Sequence, residues 1–220
     1  MEPIPAQLLP TFSLQPRALT VTLDAPVADT PPWLADLLRP GALPGVPPPD
    51  DALRTKVRDA LRGAGFRPSG RSKPASEYLV RAAAEGRLQP IHPLVDATNA
   101  VSLASGLPAS LVDLDRAKAP FRIEAPPPKT RYVFNRSGQE IDVGGLPCLW
   151  DAEGPCANAV KDAQRTKVTP ETTRALFVAW APASVPERTD AMLGAFARIV
   201  ERLGGTTTPV PVEPMPATTA

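Results

Sequence analysis

Proline is the residue that most constrains how this chain can fold. The 220 residues include 30 prolines, and most of them fall between the segments whose patterns indicate regular structure. Proline ends helices and cannot donate a hydrogen bond to a sheet ladder, so helices and strands must fit between these positions. Hydrophobic residues nevertheless make up 43% of the chain, which is enough to bury a core, and the length suits one domain.

Hydrophobic periodicity predicts an α+β fold. Apolar residues at helical spacing, followed by glycine, predict helices. These helices cover 51–61, 75–85, 93–105 and 187–203, with a short one at 33–38. Alternating or continuous apolar runs predict strands over 19–23, 121–125, 131–134, 140–143, 146–150 and 175–180. The two strands beside the turn at 135–138 would pair as a hairpin, and helices followed by strands and a last helix are typical of an α+β domain.

The cysteines and the histidine are too few to hold a metal. Cys148 and Cys156 do not form a C-x-x-C pair, and His92 is the only histidine, so no zinc site and no cofactor are expected. Both cysteines are expected to be ordinary reduced thiols. His92 stands directly before Pro93, where we expect it to start a helix, because proline is favoured at the first helical position.

The sequence predicts a soluble protein of the cytoplasm. The first twenty residues lack a basic segment followed by an apolar core, which is the pattern of a secretory signal. No apolar stretch approaches the roughly 20 residues that a bilayer-spanning helix needs, so no membrane partner is expected. The formal net charge is +1, and the total charge therefore predicts no partner.

One stretch of the chain is strongly basic. Residues 54–87 carry nine positive and three negative side chains, which gives a local net charge of +6 within a nearly neutral chain. A local excess of this kind is typical of a phosphate-binding face, although solvated arginine-rich helices have the same composition. The side chains assigned to nucleic-acid binding are Arg62, Arg67, Arg71 and Lys73.

The segment LVDATNAVSLASGLPASLVDLDRA (94–117) carries an ordered set of motif residues. It resembles the opening motif of the B3/B4 domain of the phenylalanyl-tRNA synthetase beta chain. In that motif a helix with the order Val-Asp-x-Thr-Asn leads into Gly-x-Pro and then Asp-x-Asp-Arg. The matching residues are Asp96, Thr98, Asn99, Gly106, Pro108, Asp113, Asp115 and Arg116. A second block, 156–182, resembles the end of the same domain, where a threonine turn leads into a buried strand.

This resemblance, which covers roughly 75–182, implies a single B3/B4-like domain with mixed β-sheet layers and flanking helices. It also implies that the nucleic acid is tRNA. We divide the chain into four regions: an N-terminal extension at 1–18, added structure of the same domain at 19–74, the B3/B4-like domain at 75–205 and a disordered tail, rich in threonine and proline, at 206–220.

The resemblance further implies the positions of a pocket. In the family, this pocket hydrolyses tyrosine wrongly attached to phenylalanine tRNA, and it uses a threonine, a histidine and a glutamate. By position these residues are Thr98, Ser110 and Gln164 here, so the histidine and the glutamate are replaced. All three side chains can donate a hydrogen bond and could hold a carbonyl or a water. A pocket of this kind accelerates ester hydrolysis through positioning.

Residues next to these positions complete the predicted site. Asp162 is assigned to the catalytic group, because Asp162 and Asp113 are the nearby carboxylates that can act as a general base. The residues assigned to substrate binding are Asn99, Arg165 and Lys167. Alternative interpretations stay open at this stage: Asp113 orders its turn, Asp162 is a surface charge, and Thr98 bonds back to the preceding helical turn.

Three functions fit these observations. The first is a tRNA-binding protein that hydrolyses misacylated aminoacyl-tRNA in trans, as a deacylase in translation quality control. The second is a non-catalytic module that binds tRNA or a free amino acid in a pocket of the same shape. The third is a scaffold that binds a partner through its proline-rich ends. No ligase activity is expected, because the chain has no ATP-binding signature and no room for an aminoacylation domain.

Overall fold

The computed structural model describes residues 1–8, 12–62 and 65–215, with the backbone alone for Arg71. This part of the chain contains five α-helices and eleven strands. The helices are α1 (Pro32–Asp36), α2 (Asp51–Leu61), α3 (Ala75–Ala84), α4 (Pro93–Ser105) and α5 (Pro186–Arg202). The strands are β1 (Ile4–Gln7), β2 (Arg17–Leu23), β3 (Ala109–Asp113), β4 (Arg122–Glu124), β5 (Arg131–Val133), β6 (Glu140–Asp142), β7 (Cys148–Asp151), β8 (Gly154–Asn158), β9 (Arg174–Ala179), β10 (Gly205–Val210) and β11 (Val212–Pro214).

The strands form two main sheets and a separate hairpin. One sheet has the order β11-β1-β4-β7-β8, in which β1 runs parallel to both of its neighbours. The other sheet has the order β10-β2-β9-β3 and is antiparallel throughout. Strands β5 and β6 pair only with each other, as the predicted hairpin does. The α+β class with mixed sheets and flanking helices is therefore confirmed.

The core extends through both main sheets and the helices α2, α4 and α5. Strand β9 is buried along most of its length, and β2 and β3 pair with it on either side. Phe177 of β9 stacks on Phe196 of α5 with 4.1 Å between the ring centroids. Trp180 follows directly after β9 and is 0% exposed. The continuous apolar run that predicted this strand thus has the burial it requires.

The predicted disordered tail is wrong for residues 206–214. Strand β10 pairs with β2 over six positions, from Gly205 opposite Leu23 to Val210 opposite Ala18, and β11 pairs with β1. Threonine has a high strand propensity. This edge strand buries only Val210 fully, so the sequence shows no apolar alternation to reveal it. Residues 216–220 of the predicted tail lie outside the described residues.

The N-terminal extension predicted at 1–18 contributes to both sheets. Strand β1 lies between β11 and β4, and β2 begins at Arg17, between β10 and β9. None of the described helices is long and apolar enough to cross a membrane.

Strands β3 and β8, which sequence patterns did not predict, bring the two sheets together. They are edge strands of different sheets and lie in contact with each other. The Ser110 hydroxyl of β3 donates to the Asn158 carbonyl of β8 over 2.9 Å. The Asp162 carboxylate accepts from the backbone N–H groups of Leu111 and Asn158, over 3.2 Å and 3.3 Å. Polar side chains therefore satisfy backbone groups that each edge strand leaves unpaired.

Candidate functional site

Helix α4 has a fixed starting point. His92 is its N-cap residue and Pro93 its first helical residue, as predicted. The imidazole Nδ1 of His92 accepts from the Leu94 N–H over 3.2 Å. The buried Asp96 carboxylate accepts from the backbone N–H groups of Ile91 and His92, and from the Thr30 hydroxyl over 2.5 Å. The motif residue Asp96 thus holds the turn that leads into the helix.

Gly106 ends α4 in a conformation that favours glycine. Its φ is +72°, in the left-handed region, and its N–H donates to the Ser102 carbonyl. A Cβ at this position would lie 2.6 Å from the Cβ of Pro49. The chain before α2 therefore packs directly on the end of α4, which explains the glycine of the Gly-x-Pro motif in physical terms.

A cavity of about 710 Å³ opens between α4, the β3–β8 contact and the β5–β6 hairpin. Its polar and charged lining comes from several separate segments: His92, Thr98, Asn99, Asn135, Arg136, Asn158, Lys161, Asp162, Gln164 and Lys167. Apolar side chains, among them Val95, Leu111 and Val160, complete the walls. This mixture of apolar walls and a few convergent polar groups is typical of a small-ligand site.

Thr98, Asn99 and Gln164, three of the residues assigned from the sequence, all line this cavity. The Thr98 hydroxyl donates to the Leu94 carbonyl one helical turn back, over 2.9 Å, and the residue is 6% exposed. Its oxygen can still accept a hydrogen bond from a ligand. The side-chain amides of Asn99 and Gln164 form no hydrogen bond with the part of the chain that the structure describes. Both amides are therefore available to a ligand.

Ser110 does not line the cavity. It is 0% exposed, its hydroxyl donates to the Asn158 carbonyl, and the indole Nε1 of Trp180 donates to it over 2.9 Å. Its neighbours Ala109 and Leu111 line the cavity instead. Because successive strand residues face opposite sides, Ser110 points away from the pocket to which the sequence assigned it.

Asp162 is the carboxylate that the structure brings into the cavity. Burial raises the pKa of Asp162 to about 6, although the backbone N–H of Leu111 and the charge of Lys167 act in the opposite direction. Burial also lowers the pKa of Lys167, and Asp162 partly opposes this effect. The ammonium of Lys167 donates to the Phe134 carbonyl over 2.6 Å. A carboxylate with a pKa near neutrality, beside a cation, is a feature of acid–base sites.

Two residues assigned from the sequence hold the fold together outside the cavity. Arg165 forms a bidentate ion pair with the buried Asp151, with N–O distances of 2.6 Å and 2.7 Å, and it also donates to the Gly154 carbonyl. Asp113 accepts from the Asp115 N–H and from the Thr172 hydroxyl, so it orders its turn, which was the alternative interpretation. Arg165 does not line the cavity, and its guanidinium is paired with Asp151.

Among the cavity residues that were not assigned to the site from the sequence, three carry basic side chains: His92, Arg136 and Lys161. His92 is 7% exposed, and its Nε2 has no hydrogen-bond partner among the described residues. Burial lowers the pKa of His92, and the Asp96 carboxylate opposes this. Arg136 is exposed at the turn of the β5–β6 hairpin and forms no ion pair within the described chain. Lys161 stands over the Phe134 ring, with Nζ 3.9 Å from its centroid. A turn prediction at 135–138 could place Arg136 in a loop, but only the folded chain places that loop at the cavity.

The basic stretch is less free than its composition indicates. Five of its arginines form ion pairs with neighbouring carboxylates: Arg54, Arg58, Arg62, Arg81 and Arg87. Arg62 was assigned to tRNA, and it pairs with Asp59. Arg67 and Lys73 form no ion pair within the described chain, and the side chain of Arg71 lies outside it. Lys73 stands between Ser72, which lines a neighbouring cleft, and Ala75, which lines the cavity.

The described residues contain no cluster of three or more histidine, cysteine or carboxylate side chains that could hold a metal. Cys148 and Cys156 are buried free thiols, and burial raises the pKa of both. The polar side chains that line the cavity carry hydroxyl, amide, carboxylate, imidazole and cationic groups.

Comparison with known proteins identifies the family of this domain. A protein-family model described as the B3/4 domain matches residues 66–194, more than half of the chain. The chain belongs to the B3/4 domain family. The resemblance carried by the motif at 94–117 is thereby confirmed. No curated protein matches the sequence.

The fold of this B3/4 domain is also similar to a solved structure, an N-terminal fragment of the phenylalanyl-tRNA synthetase beta-subunit from Pyrococcus horikoshii. The TM-score is 0.56 at 10% sequence identity, and the match covers 96% of this chain and 52% of the other. The chain thus spans about half the length of that fragment. At this identity the likeness shows the fold alone.

Proposed function

We propose that this B3/4 domain binds aminoacyl-tRNA and hydrolyses the ester of a wrongly attached amino acid in trans. The observation that carries the proposal is the cavity in which Asp162 lies together with Thr98, Asn99 and Gln164. Membership of the B3/4 family and the likeness to a fragment of a tRNA synthetase subunit support tRNA as the partner.

The reaction follows from the groups in the cavity. With a pKa of about 6, Asp162 is mostly ionised at neutral pH and can accept a proton from a water molecule. The hydroxide then adds to the ester carbonyl carbon, and the side-chain amides of Asn99 and Gln164 can donate to the oxyanion. The bond between that carbon and the ribose oxygen breaks, and the ribose oxygen takes up the proton that Asp162 accepted from the water. The products are the free amino acid and tRNA with a free terminal hydroxyl.

The second candidate is a non-catalytic module that binds tRNA or a free amino acid in the same cavity. The placement of Ser110 favours it, because this residue at the family's histidine position is buried against Trp180 and Asn158 and cannot meet a ligand. The two candidates differ in one step, the hydrolysis itself, and share the binding of the ligand.

The deciding assay measures release of labelled amino acid from a panel of mischarged tRNAs, beginning with tyrosine on phenylalanine tRNA. We expect release above the spontaneous rate for at least one member of the panel. If tRNA binds but no member of the panel is hydrolysed faster than its spontaneous rate, the proposed hydrolysis is excluded and the non-catalytic binding module is supported.

Replacing Thr98 by valine should slow hydrolysis about threefold to tenfold and leave tRNA affinity unchanged. Valine keeps the shape of the side chain but removes the hydroxyl oxygen, and one hydrogen bond in a transition state contributes about 0.5–1.5 kcal/mol. Thr98→Ser is the matched control, since it keeps the hydroxyl and should retain most of the rate. Equal rates for Thr98→Val and the parent would exclude the hydroxyl from the site.

Replacing Arg67 and Lys73 together by alanine should weaken tRNA binding and flatten its salt dependence. Each lost phosphate contact lowers the log–log slope by roughly 0.7–0.9. The matched control is the double variant Arg54→Ala with Arg81→Ala, which removes two charges that already pair with Asp51 and Glu85. Titrations at several salt concentrations measure both quantities, and equal slopes for the two double variants would contradict the assignment.

A further inference from the structure

A second cleft, of about 730 Å³, lies between α3 and the β5–β6 hairpin. Its walls include Ser72, Tyr78, Phe134, Glu140 and Lys161. Lys161 also lines the cavity that holds Asp162, so one side chain forms the boundary between the two spaces. Phe134 belongs to the same boundary, because its carbonyl accepts from Lys167 of the cavity. The cavity and the cleft are therefore adjacent.

Tyr78 offers a fixed aromatic surface in this cleft. It is 41% exposed and lines the cleft. Its hydroxyl donates to the Gly70 carbonyl over 2.9 Å, and this bond holds the ring against the turn that precedes α3. Because the ring is already oriented, little side-chain entropy remains to be lost when a planar ligand stacks on it.

The chemistry around Tyr78 fits a nucleobase better than an aliphatic ligand. The cation of Lys161 and the ring of Phe134 stand in contact at 3.9 Å beside it. Arg67 and Lys73 lie on either side of Gly70 in the sequence, and neither forms an ion pair within the described residues. Aromatic side chains interleaved with cations are typical of single-stranded nucleic-acid binding, in which bases stack on rings and cations follow the phosphates. The one carboxylate in the wall, Glu140, has Arg131 opposite it at 4.0 Å.

The geometry points to a base-binding subsite: Tyr78 stacks an unpaired nucleobase of the same RNA strand whose terminal ester enters the neighbouring cavity. This inference rests on the proposed function for the identity of the ester-bearing strand. It adds a contact that reads the nucleic acid and not the amino acid, and that contact does not involve any residue of the hydrolytic cavity other than the shared Lys161.

The test measures the affinity of uncharged tRNA, which carries no ester. Tyr78→Ala should weaken binding on the order of 10- to 100-fold, the range found when a stacking aromatic is removed. Tyr78→Phe keeps the ring but loses the hydrogen bond to the Gly70 carbonyl, so it should weaken binding less than Tyr78→Ala does. Val80→Ala is the matched control, because Val80 is exposed on the same helix but does not line the cleft, and it should leave the affinity unchanged.

A scan of the tRNA identifies the stacked base. A single abasic nucleotide is placed at each of the last four positions of the 3′ end in turn, and one of these tRNAs should bind the parent and Tyr78→Ala equally. Equal affinity of Tyr78→Ala and the parent for intact tRNA overturns the subsite, and so does the absence of tRNA binding by the parent. Loss of hydrolysis alone does not overturn it. If tRNA binds through Tyr78 but is not deacylated, the proposed hydrolysis is excluded and the base-binding subsite is retained.

Discussion

Asp162→Asn should reduce deacylation by about 10²- to 10⁴-fold, which is the usual contribution of a general base. In the parent, the rate should rise as pH increases through about 6 and then level off, because the carboxylate accepts a proton only after it has lost its own. The asparagine variant should lose this step. Single-turnover release of labelled amino acid between pH 5 and 8 would measure both effects.

Stability requires its own control in this experiment. The Asp162 carboxylate accepts from two backbone N–H groups, and an asparagine can face only one of them with an oxygen. Asp113→Asn is matched in kind, because this buried carboxylate also accepts from a backbone N–H but lies outside the cavity. We expect Asp113→Asn to lose stability and keep the pH step. A step near pH 6 that persists in Asp162→Asn would assign the titration to another group, such as His92.

The sign of the linkage gives a further check on Asp162. Its pKa in the folded protein is raised from 3.8, so the unfolded chain loses this proton at lower pH than the folded chain does. The contribution of Asp162 to the free energy of unfolding should therefore decrease as pH rises from about 4 to about 6. Urea titrations of the parent and of Asp162→Asn measure this effect. The free energy of unfolding of the parent minus that of the variant should become smaller as pH rises over this interval.

Trp180→Ala should destabilise the protein by about 3–5 kcal/mol, because it removes the largest fully buried side chain next to the central strand β9. Part of this loss comes from the indole N–H that donates to Ser110. Trp180→Phe should cost less, since it keeps an aromatic ring and removes only that hydrogen bond and part of the volume.

Trp33 provides a matched, less buried position. It is half-buried, and the guanidinium of Arg202 stands 4.0 Å from its ring. Trp33→Ala should therefore lower the urea midpoint less than Trp180→Ala does. If both tryptophans cost the same, the burial of Trp180 against Ser110 does not carry the stability attributed to it.

The sequence predicted the helices and the hairpin well because their signals are local. Helices α2 and α4 begin and end at the predicted residues, since an N-cap, a first-position proline and a closing glycine act within a few residues of each end. The resemblance of the segment 94–117 also identified the family. Strand β10 was missed because an edge strand of threonines has little apolar pattern, although its partner β2 was predicted.

The site was predicted less well because position in a motif does not fix the direction of a side chain. Ser110 occupies the expected place in β3 but faces Trp180, and Arg165 follows Asp162 and Gln164 but turns to Asp151. Only the fold shows that Arg136 and Lys161 border the same cavity. Long-range packing decides each of these contacts, and no short pattern in the chain encodes it.

The cavity lies across the line where the two sheets meet, with α4 and β3 on one side and the segment after β8 on the other. A ligand that contacts both sides adds contacts between the two sheets. Its binding then increases the free energy of unfolding of the domain by about 2.7 kcal/mol when the ligand concentration is one hundred times its Kd. The ligand-bound domain should thus be more stable to unfolding than the ligand-free domain, and the added stability should come from the contact between the two sheets.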